Sequence, residues 1–110
     1  MKASEIAQKA AGLVGGDRER THGTKLKNHQ NIADLWNAYL GIRRDPNAPL
    51  TALDVTHMMV LLKIARTQTG THNPDDWIDM VGYGACSGEI AHELEDAEAR
   101  IKPIGEAVAA

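Results

Sequence analysis

The sequence predicts an all-α fold, a single domain of four helices packed as a bundle. The chain has no Phe and only 4% aromatic residues, and most of the 43% that are hydrophobic are aliphatic residues or Met. Sheets prefer aromatic and β-branched side chains, so this composition favours helices. Apolar residues also recur at helical spacing in four segments, which glycine and proline separate. A chain of this length forms one small domain, which we assign to residues 1–110.

The first two helices are predicted over residues 4–14 and 25–40. Ser4 is a suitable N-cap for the first helix, because its hydroxyl can accept a hydrogen bond from a backbone N–H of the first turn. Thr24 can cap the second helix in the same way. Gly41 follows the second helix, where a glycine often ends the helical conformation. The segment between the two helices is polar, and we expect a loop there.

The third helix is predicted over residues 52–69. It follows Thr51 and has Asp54 three residues later, a spacing that resembles a capping box with Asp in place of Glu. Gly70 is expected to end it. The helix is apolar on nearly all sides, which is typical of a helix at the centre of a fold or at a subunit contact.

The fourth helix is predicted over residues 74–100, with Asn73 as its cap and Pro74 at its first position. Three glycines inside it cost roughly 1 kcal/mol each relative to alanine, so we expect close backbone packing against another helix or a ligand. They are Gly82, Gly84 and Gly88. The tail, residues 103–110, is expected to be loose.

Charge is distributed unevenly along the chain. The net charge is −3, yet residues 1–50 contain eight Lys/Arg and five Asp/Glu, a net of +3, while residues 51–110 contain four and ten, a net of −6. An acidic protein is a poor candidate for non-specific binding to nucleic acid. The asymmetry fits a solvated surface of mixed sign, head-to-tail docking of copies, or an anionic ligand beside a cation. Because small chains often gain stability by association, we expect a homo-oligomer with the third and fourth helices at its centre.

The cysteine content and the hydropathy pattern favour a cytoplasmic protein. Cys86 is the only cysteine, so an internal disulfide is impossible, and we interpret it as a small core residue of the fourth helix. No apolar run approaches the ~20 residues that span a bilayer. The N-terminus has helically spaced apolar residues rather than the continuous apolar segment of a signal peptide.

Aspartates at the start of the fourth helix are the strongest candidates for chemistry. Asp75 and Asp79 are four residues apart and share a helix face, and Asp76 is three residues from Asp79. Mg²⁺ takes one or two protein carboxylates together with phosphates and water, so these acids predict a metal site. Asp75 and Asp76 also suit the positive end of a helix without any function. Asp79 lies on a largely apolar face, where it could instead bond Tyr83 or pair with a cation of the third helix.

Lys63 and Arg66 near the end of the third helix are candidate phosphate ligands. Arg66 can hold a phosphate with two hydrogen bonds, which a lysine cannot do. Both residues also have a simpler interpretation. Lys63 falls on the least apolar side of its helix and could face solvent, and any cation is favoured near a helix C-terminus.

Three further residues could contact the base of a nucleotide. His29 falls on the apolar side of the second helix and is either a hydrogen-bonded core histidine or a ligand-binding group. Trp77 and Tyr83 could stack on a base, although aromatic residues of a core need no such role. HExxH, CxxC, P-loop, GxGxxG and GxSxG motifs are absent, so zinc and the corresponding enzyme classes are not expected.

Taken in order, these residues resemble a family of small, mostly uncharacterised phage and prophage proteins. The family pattern combines an R-x-x-YG loop, an E-N-x-x-x-I helix, a K-I-x-R helix end and a D-x-W-x-D-I-x-G-Y block. The resemblance covers about residues 17–90, and a phage protein would act in the host cytoplasm. His22 stands where the pattern has Tyr, and Met80 stands where it has Ile. The residues at the positions of the pattern are Arg18, Arg20, His22, Gly23, Asn28, Ile32, Lys63, Ile64, Ala65, Arg66, Asp75, Trp77, Asp79, Met80, Val81, Gly82 and Tyr83.

That family in turn is similar to the all-α nucleoside triphosphate pyrophosphohydrolases of the MazG type. The resemblance implies that Asp75 or Asp76 acts with Asp79 as one acidic pair holding Mg²⁺, that Lys63 and Arg66 meet phosphates, and that Asn28 lies in the nucleotide site. The implied reaction converts a (deoxy)nucleoside triphosphate to the monophosphate and pyrophosphate.

The second acidic pair of those enzymes, ExxE, is missing here, because Lys27-Asn28 stands where the pattern has Glu-Asn. Glu89, Glu93 or acids of a second subunit would have to complete the set. Whether the chain is an enzyme therefore stays open at this point. The alternative is a non-catalytic phage accessory protein that sequesters a nucleotide or inhibits a host protein, including a defence protein, through its helical surfaces.

Overall fold

The structure, a computed structural model, describes residues 1–15 and 24–101. Within these ranges the chain is helical and has no strand, so the all-α prediction is confirmed. The expected tail, residues 103–110, lies outside the described residues. The described residues form four helices, which are α1 Ala3–Val14, α2 Lys25–Ile42, α3 Ala52–Arg66 and α4 Pro74–Ile101. None of the described helices is long and apolar enough to cross a bilayer.

The N-terminal ends of α1 and α2 are built differently. α1 begins one residue earlier than the sequence predicts, with Lys2 at the N-cap and no side-chain hydrogen bond there, so the assignment of Ser4 as the cap is wrong. Thr24 caps α2, since its Oγ1 accepts a hydrogen bond from the Lys27 N–H at 3.3 Å. α2 continues through Gly41 to Ile42, because glycine permits a helix end without imposing one.

α3 begins with the expected capping box. The Thr51 Oγ1 accepts from the Asp54 N–H at 3.3 Å, and the Asp54 Oδ2 accepts from the Thr51 N–H at 2.8 Å. α3 ends at Arg66, three residues before the predicted end. The chain then turns and reaches Gly70, whose φ of 71° lies in the left-handed region that glycine adopts readily.

α4 is a 28-residue helix whose first turn is capped by Asn73, where Oδ1 accepts from the Asp75 N–H at 3.0 Å. The glycines of α4 make no close contact with another described helix, so the expected packing against another helix or a ligand is not made within the described chain. A Cβ placed on Gly82, Gly84 or Gly88 would meet no atom within 4 Å apart from the nearby backbone of α4 itself. Any close approach at these glycines must therefore come from outside the described part of the chain.

α3 is the central helix of the structure, and it packs against both α2 and α4. The Trp36 Nε1–H of α2 donates to the Met58 carbonyl of α3 at 2.7 Å. On the other side of α3, the Ser87 hydroxyl of α4 donates to the Thr56 Oγ1 at 2.7 Å. No residue of α1 is buried, so α1 adds little to this three-helix arrangement.

One side of α4 faces α3, and Cys86 lies off that side. The buried and half-buried residues of α4 are Asp76, Asp79, Met80, Tyr83, Ser87 and Ile90. Cys86 is exposed, so its interpretation as a core residue is wrong. The reason is helical geometry, since Cys86 is about 100° around the helix from Ser87 and points away from the line of contact with α3.

The apolar core of one chain is small. Ile32 and Ala65 are the only hydrophobic residues that are fully buried in the described ranges. The Cα radius of gyration is 19.0 Å, whereas a compact domain of this size has a value of about 13 Å. The chain is therefore extended, and its helices leave apolar faces without a partner.

Candidate functional site

An ion pair links α3 to α4 near the C-terminal end of α3. The Lys63 Nζ lies 2.8 Å from the Asp79 Oδ2. Lys63 is only 8% exposed, so the interpretation of this residue as a solvent-facing lysine is wrong. Among the alternatives for Asp79, the structure selects the pairing with a cation of α3. The Lys63 charge is thereby compensated, while Asp79 keeps part of its surface open.

Arg66 lies one turn beyond Lys63, in the last turn of α3. Its side chain is half-buried, and its Nε is fully buried without a hydrogen-bond partner among the described residues. A buried donor without a partner costs about 1–3 kcal/mol. This arginine therefore has unused hydrogen-bonding capacity, although the helix dipole alone would favour a cation at this position.

Asn28 of α2 lies at the same level as Arg66 of α3, that is, at about the same position along the helix axes. α2 and α3 are antiparallel, and the Trp36 indole contacts the Met58 carbonyl. Asn28 lies about two turns before Trp36 in α2, and Arg66 lies about two turns after Met58 in α3. Asn28 is 5% exposed, and its Oδ1 is buried with no hydrogen-bond partner in the described ranges. Two unsatisfied polar atoms thus occur at one end of the helices.

Asp76 of α4 reaches this level from the other side of α3. α3 and α4 are also antiparallel, so three residues beyond the Lys63–Asp79 pair along each helix lie Arg66 and Asp76. Asp76 is 5% exposed. Its backbone N–H bonds the Asn73 carbonyl at 3.1 Å, whereas its carboxylate forms no hydrogen bond or ion pair with the described residues.

The registers of the three helices place these residues at one end of α3, on the sides that face α2 and α4, and we call this set the Arg66 cluster. It contains two cations, two carboxylates and one amide, from three helices. Its members are Asn28, Lys63, Arg66, Asp76 and Asp79. Buried polar groups are normally satisfied, and groups that are not satisfied identify places where a ligand or water completes the bonding. The cluster has donors for an anion and a carboxamide that can both donate and accept.

The acids at the start of α4 do not converge into a metal-binding group by themselves. No set of three or more His, Cys, Asp or Glu side chains is close enough to hold a metal in the described part of the chain. Asp75 is exposed, Asp76 is buried, and Asp79 already pairs with Lys63. Protein donors alone therefore do not supply a magnesium site here, and a metal would need further ligands from phosphate groups.

The three residues expected to contact a base do not join the cluster. His29 is exposed, and its Nδ1 lies 2.6 Å from the Lys25 carbonyl of its own helix, so its placement in an apolar core is wrong. Trp77 is 53% exposed, which contradicts its interpretation as a core aromatic residue. Tyr83 is half-buried, and its carbonyl accepts from the Ser87 hydroxyl at 2.9 Å. Their proposed role in nucleotide binding stays a prediction.

The opposite end of α3 carries a buried network that the sequence did not lead us to expect. The Asp54 carboxylate accepts from the Tyr39 hydroxyl at 2.6 Å, from the Arg43 Nε at 3.2 Å and from the Arg43 Nη2 at 2.9 Å. It also accepts from the Thr51 N–H and hydroxyl. The His57 Nδ1 lies 3.0 Å from the Tyr39 oxygen, which already donates to Asp54, so Nδ1 carries the proton.

We call these five residues, Tyr39, Arg43, Thr51, Asp54 and His57, the Asp54 network. The hydrogen bond from Tyr39, and then that from the Thr51 backbone, lower the pKa of Asp54 to about 2. Burial, and then the hydrogen bond to Asp54, raise the pKa of Tyr39 to about 12. The network is ionised at Asp54 and protonated at Tyr39 across the neutral pH range. Its hydrogen bonds tie α2 to the start of α3.

One sequence signal pointed toward this network. The capping box identified Asp54 as the acid of the first turn of α3, and its carboxylate is the centre of the network. Arg43 lies in a segment that has two prolines and no periodicity, so nothing in the sequence singled it out. Its guanidinium also donates to the carbonyls of Ala48 and Pro49, which holds the loop between α2 and α3 against the helices.

Comparison with known sequences assigns the chain to a family. A family model described as a domain of unknown function, DUF6378, matches residues 5–91. The chain belongs to the DUF6378 family. The match includes every residue of the Arg66 cluster and of the Asp54 network.

Two phage proteins are similar to this DUF6378 chain. The Gene 55 protein of Mycobacterium phage D29 is 31% identical over 98 residues, which are 89% of this chain and 61% of that protein. The Gene 55 protein of Mycobacterium phage L5 is 37% identical over 79 residues, which are 71% of this chain and 47% of that protein. The chain thus spans about half to three-fifths of these relatives. No solved structure matches it.

These similarities confirm the assignment to a phage protein family. The finer resemblance, to pyrophosphohydrolases of the MazG type, has no support among these matches. Of the motif residues that carried the resemblance, Arg18, Arg20, His22 and Gly23 lie outside the described residues.

Proposed function

We propose that this DUF6378 protein binds a phosphate-bearing nucleotide at the Arg66 cluster. The observation that carries the proposal is the buried Nε of Arg66, which has no partner among the described residues although a guanidinium is the side chain best suited to a phosphate. Lys63, one turn away, adds a second cation whose position the ion pair with Asp79 fixes.

The amide of Asn28 supports a ligand with both donors and acceptors near its phosphates. Its buried Oδ1 is an unused acceptor at the level of Arg66. A nucleotide carries such donors on its sugar hydroxyls and on its base edges. An inorganic anion carries only acceptors when it is fully ionised, so it would leave the Asn28 oxygen unsatisfied. This favours a nucleotide over free phosphate.

The binding proposal is tested by nucleotide-dependent thermal stabilisation of the full chain. We expect ATP or dATP to raise the melting temperature of the wild type, because a ligand at 100 times its Kd stabilises the native state by about 2.7 kcal/mol. We expect Arg66→Ala to abolish the shift. Arg44→Ala is the matched control, since Arg44 is exposed at the far end of α2 and should leave the shift intact. Equal shifts in the two variants would contradict the proposal.

The second candidate function is hydrolysis of the bound triphosphate to a monophosphate and pyrophosphate. The observation in its favour is that Asp76 is buried without a partner at the level of Arg66, while Asp75 precedes it on the same turn. The fit to Mg²⁺ is incomplete within the described chain, because Lys63 already occupies one oxygen of Asp79. Asp75 and Asp76 are then the residues that would hold a magnesium ion brought by the triphosphate, and the metal would supply charge neutralisation at the phosphates.

Hydrolysis is tested by measuring pyrophosphate release from a panel of NTPs and dNTPs with Mg²⁺ or Mn²⁺. We expect any activity to disappear in Asp79→Ala and in Asp76→Asn, and to persist in Asp34→Ala. Asp34 is exposed on α2, where it bonds Gln30 of its own helix. Nucleotide-dependent stabilisation without pyrophosphate release would support capture of the nucleotide and contradict catalysis. If neither effect occurs, the result points to a protein partner or to a structural role.

A further inference from the structure

α1 carries an apolar stripe whose residues are all exposed. Its residues are spaced by three, four and three positions, so they lie on one side of the helix. Ile6 is 54% exposed and Leu13 is 62% exposed. We call these residues the α1 stripe: Ala3, Ile6, Ala10 and Leu13. A short amphipathic helix without a buried residue is only marginally stable by itself, so we expect this stripe to pack against a partner.

α4 carries a second stripe, on the side away from α3. Trp77 is 53% exposed and Val81 is 74% exposed, and the helix continues beyond them with small residues. The space above Gly84 and Gly88 is open for at least 4 Å. We call this set the α4 stripe: Trp77, Val81, Gly84, Gly88 and Ala91. Glycines cost helix stability, and here no contact within the described chain explains them.

We propose that the α1 stripe of one chain packs against the α4 stripe of a second copy, in antiparallel orientation. The occupant must bring apolar surface, because the described chain fully buries only two hydrophobic residues and is far more extended than a compact domain. A second copy of the chain always supplies an α1 helix with its own apolar stripe. The proposal goes beyond ligand binding, and its tests read the state of association rather than nucleotide binding.

The α1 stripe and residues 81–91 of the α4 stripe share a spacing of three, four and three positions, so they match in either orientation, and charge sets the direction. In the antiparallel orientation the following pairs form. Ala3 meets Ala91, Ile6 meets Gly88, Ala10 meets Gly84, and Leu13 meets Val81. The bulky Ile6 thus falls on the open surface at Gly88, and the two smallest side chains of the α1 stripe fall on Gly84 and Ala91. Small residues on one helix let the backbone of another approach closely, as in knobs-into-holes packing.

Charge selects α1 as the partner and sets its direction. α4 contains eight Asp/Glu and a single Arg, so pairing α4 with α4 of a second copy would bring two strongly acidic helices together. α1 instead begins beside Lys2 and contains Lys9, against one acid, Glu5. The antiparallel orientation places Lys2 beside the exposed acids that follow the α4 stripe, which are Glu93, Glu95, Asp96 and Glu98. A parallel orientation would move Lys2 to the start of α4, where Asp76 is buried, Asp79 pairs with Lys63 and Asp75 alone is exposed without an ion pair in the described chain.

The contact is expected twice in each dimer, related by a two-fold axis. α1 is 12 residues long, so one helix pair meets over about 18 Å. The area buried by one contact of this length is a small part of the ~800 Å² per partner that a standard interface buries. Reciprocal exchange of α1 doubles the contact and leaves neither stripe open, as closed two-fold symmetry requires.

The first test measures the mass of the full chain in solution by light scattering after gel filtration. We expect the wild type to have twice the chain mass of 11.9 kDa. Gly88→Leu should halve that mass, because leucine fills the surface on which Ile6 packs. Gly82→Leu is the matched control and should remain dimeric, since Gly82 lies roughly 140° around α4 from the centre of the α4 stripe.

The second test uses disulfide cross-linking and does not depend on disrupting the fold. In a Cys86→Ser background, chains carrying Ala3→Cys and chains carrying Ala91→Cys are co-expressed and oxidised. We expect a covalent heterodimer on a non-reducing gel. Chains with Ala3→Cys and Val81→Cys, which would be adjacent only in a parallel arrangement, should not cross-link.

Four outcomes would overturn the proposal. They are a monomeric wild type, efficient cross-linking of Ala3→Cys with Val81→Cys, homodimers of a Gly84→Cys variant alone, and a monomeric intrachain cross-link when Ala3→Cys and Ala91→Cys are in the same chain. The last two would identify α4 of the second copy, or α1 of the same chain, as the occupant of the α4 stripe.

Discussion

The two ends of α3 contain buried charged groups in opposite states of satisfaction. At the N-terminal end, the Asp54 carboxylate accepts hydrogen bonds from Tyr39, Arg43 and Thr51, and its charge is compensated. At the C-terminal end, the Nε of Arg66 and the Oδ1 of Asn28 are buried without partners in the described chain. The same helix thus carries a closed network at one end and an open cluster at the other.

The contrast separates a structural role from a binding role. A satisfied buried network holds helices in one arrangement, and removing a member leaves its partners unpaired. Unsatisfied buried groups lower the stability of the free protein, and they gain interactions only when a ligand arrives. We therefore interpret the Asp54 network as structural, and this contrast is the reason why we propose the Arg66 cluster as the ligand site.

The largest effect is expected for Asp54→Ala. The substitution leaves the guanidinium of Arg43 partly buried without a counter-charge and removes the capping box of α3. We expect a loss of about 3 kcal/mol in the free energy of unfolding, measured by urea denaturation. Asp45→Ala is the control, because Asp45 is exposed in the loop between α2 and α3, where its carboxylate accepts from the Asn47 N–H at 3.1 Å. We expect it to change the stability by less than about 1 kcal/mol. A similar loss in both variants would remove the distinction between the two ends.

The next effect is a pH dependence that belongs to the Asp54 network. The pKa of Asp54 in the folded state is about 2, below its ordinary value of 3.8. A lowered pKa contributes stability that is complete above pH ~4 and is lost as the pH falls through ~2. Asp54→Asn should therefore flatten the stability profile between these values, as followed by thermal melts. An unchanged slope would show that the carboxylate is not stabilised in the native state.

A smaller effect is expected at the ion pair that borders the Arg66 cluster. Asp79→Asn leaves the buried Lys63 without its counter-charge, and since the Asp79 side chain is 42% exposed we expect a loss of only about 1 kcal/mol. Combining Lys63→Met with Asp79→Leu should restore most of that stability, because no unpaired charge is left. The double variant should nevertheless lose nucleotide-dependent stabilisation. Retention of that shift would exclude Lys63 from the site.

The smallest effect on stability is expected for Asn28→Leu. The substitution removes an acceptor that has no partner in the described chain, so the free energy of unfolding should stay constant or rise by up to about 1 kcal/mol. The nucleotide-dependent shift in melting temperature should be reduced in the same variant. A loss of more than 1 kcal/mol would show that Asn28 is part of the structural packing rather than an open binding group.

Much of the local structure could be predicted from single residues. Thr24, the pair Thr51 and Asp54, and Asn73 all cap the helices that follow them, because a cap depends on contacts within one turn. Glycine was a weaker guide, since α2 runs through Gly41 and α3 ends before Gly70. The alternatives for Asp79 could not be resolved from the sequence, because pairing with Lys63 requires the register between α3 and α4.

The sequence by itself determined that the protein is helical, where α2, α3 and α4 begin, and that acids of α4 and cations of α3 are the candidate functional groups. These properties depend on residues within a few positions of one another. Only the tertiary structure decided that Lys63, Asn28 and Asp76 are each buried, and that Trp77 and Cys86 are exposed. Burial depends on which side of each helix meets its neighbour, and that choice is made by contacts between residues far apart in the chain.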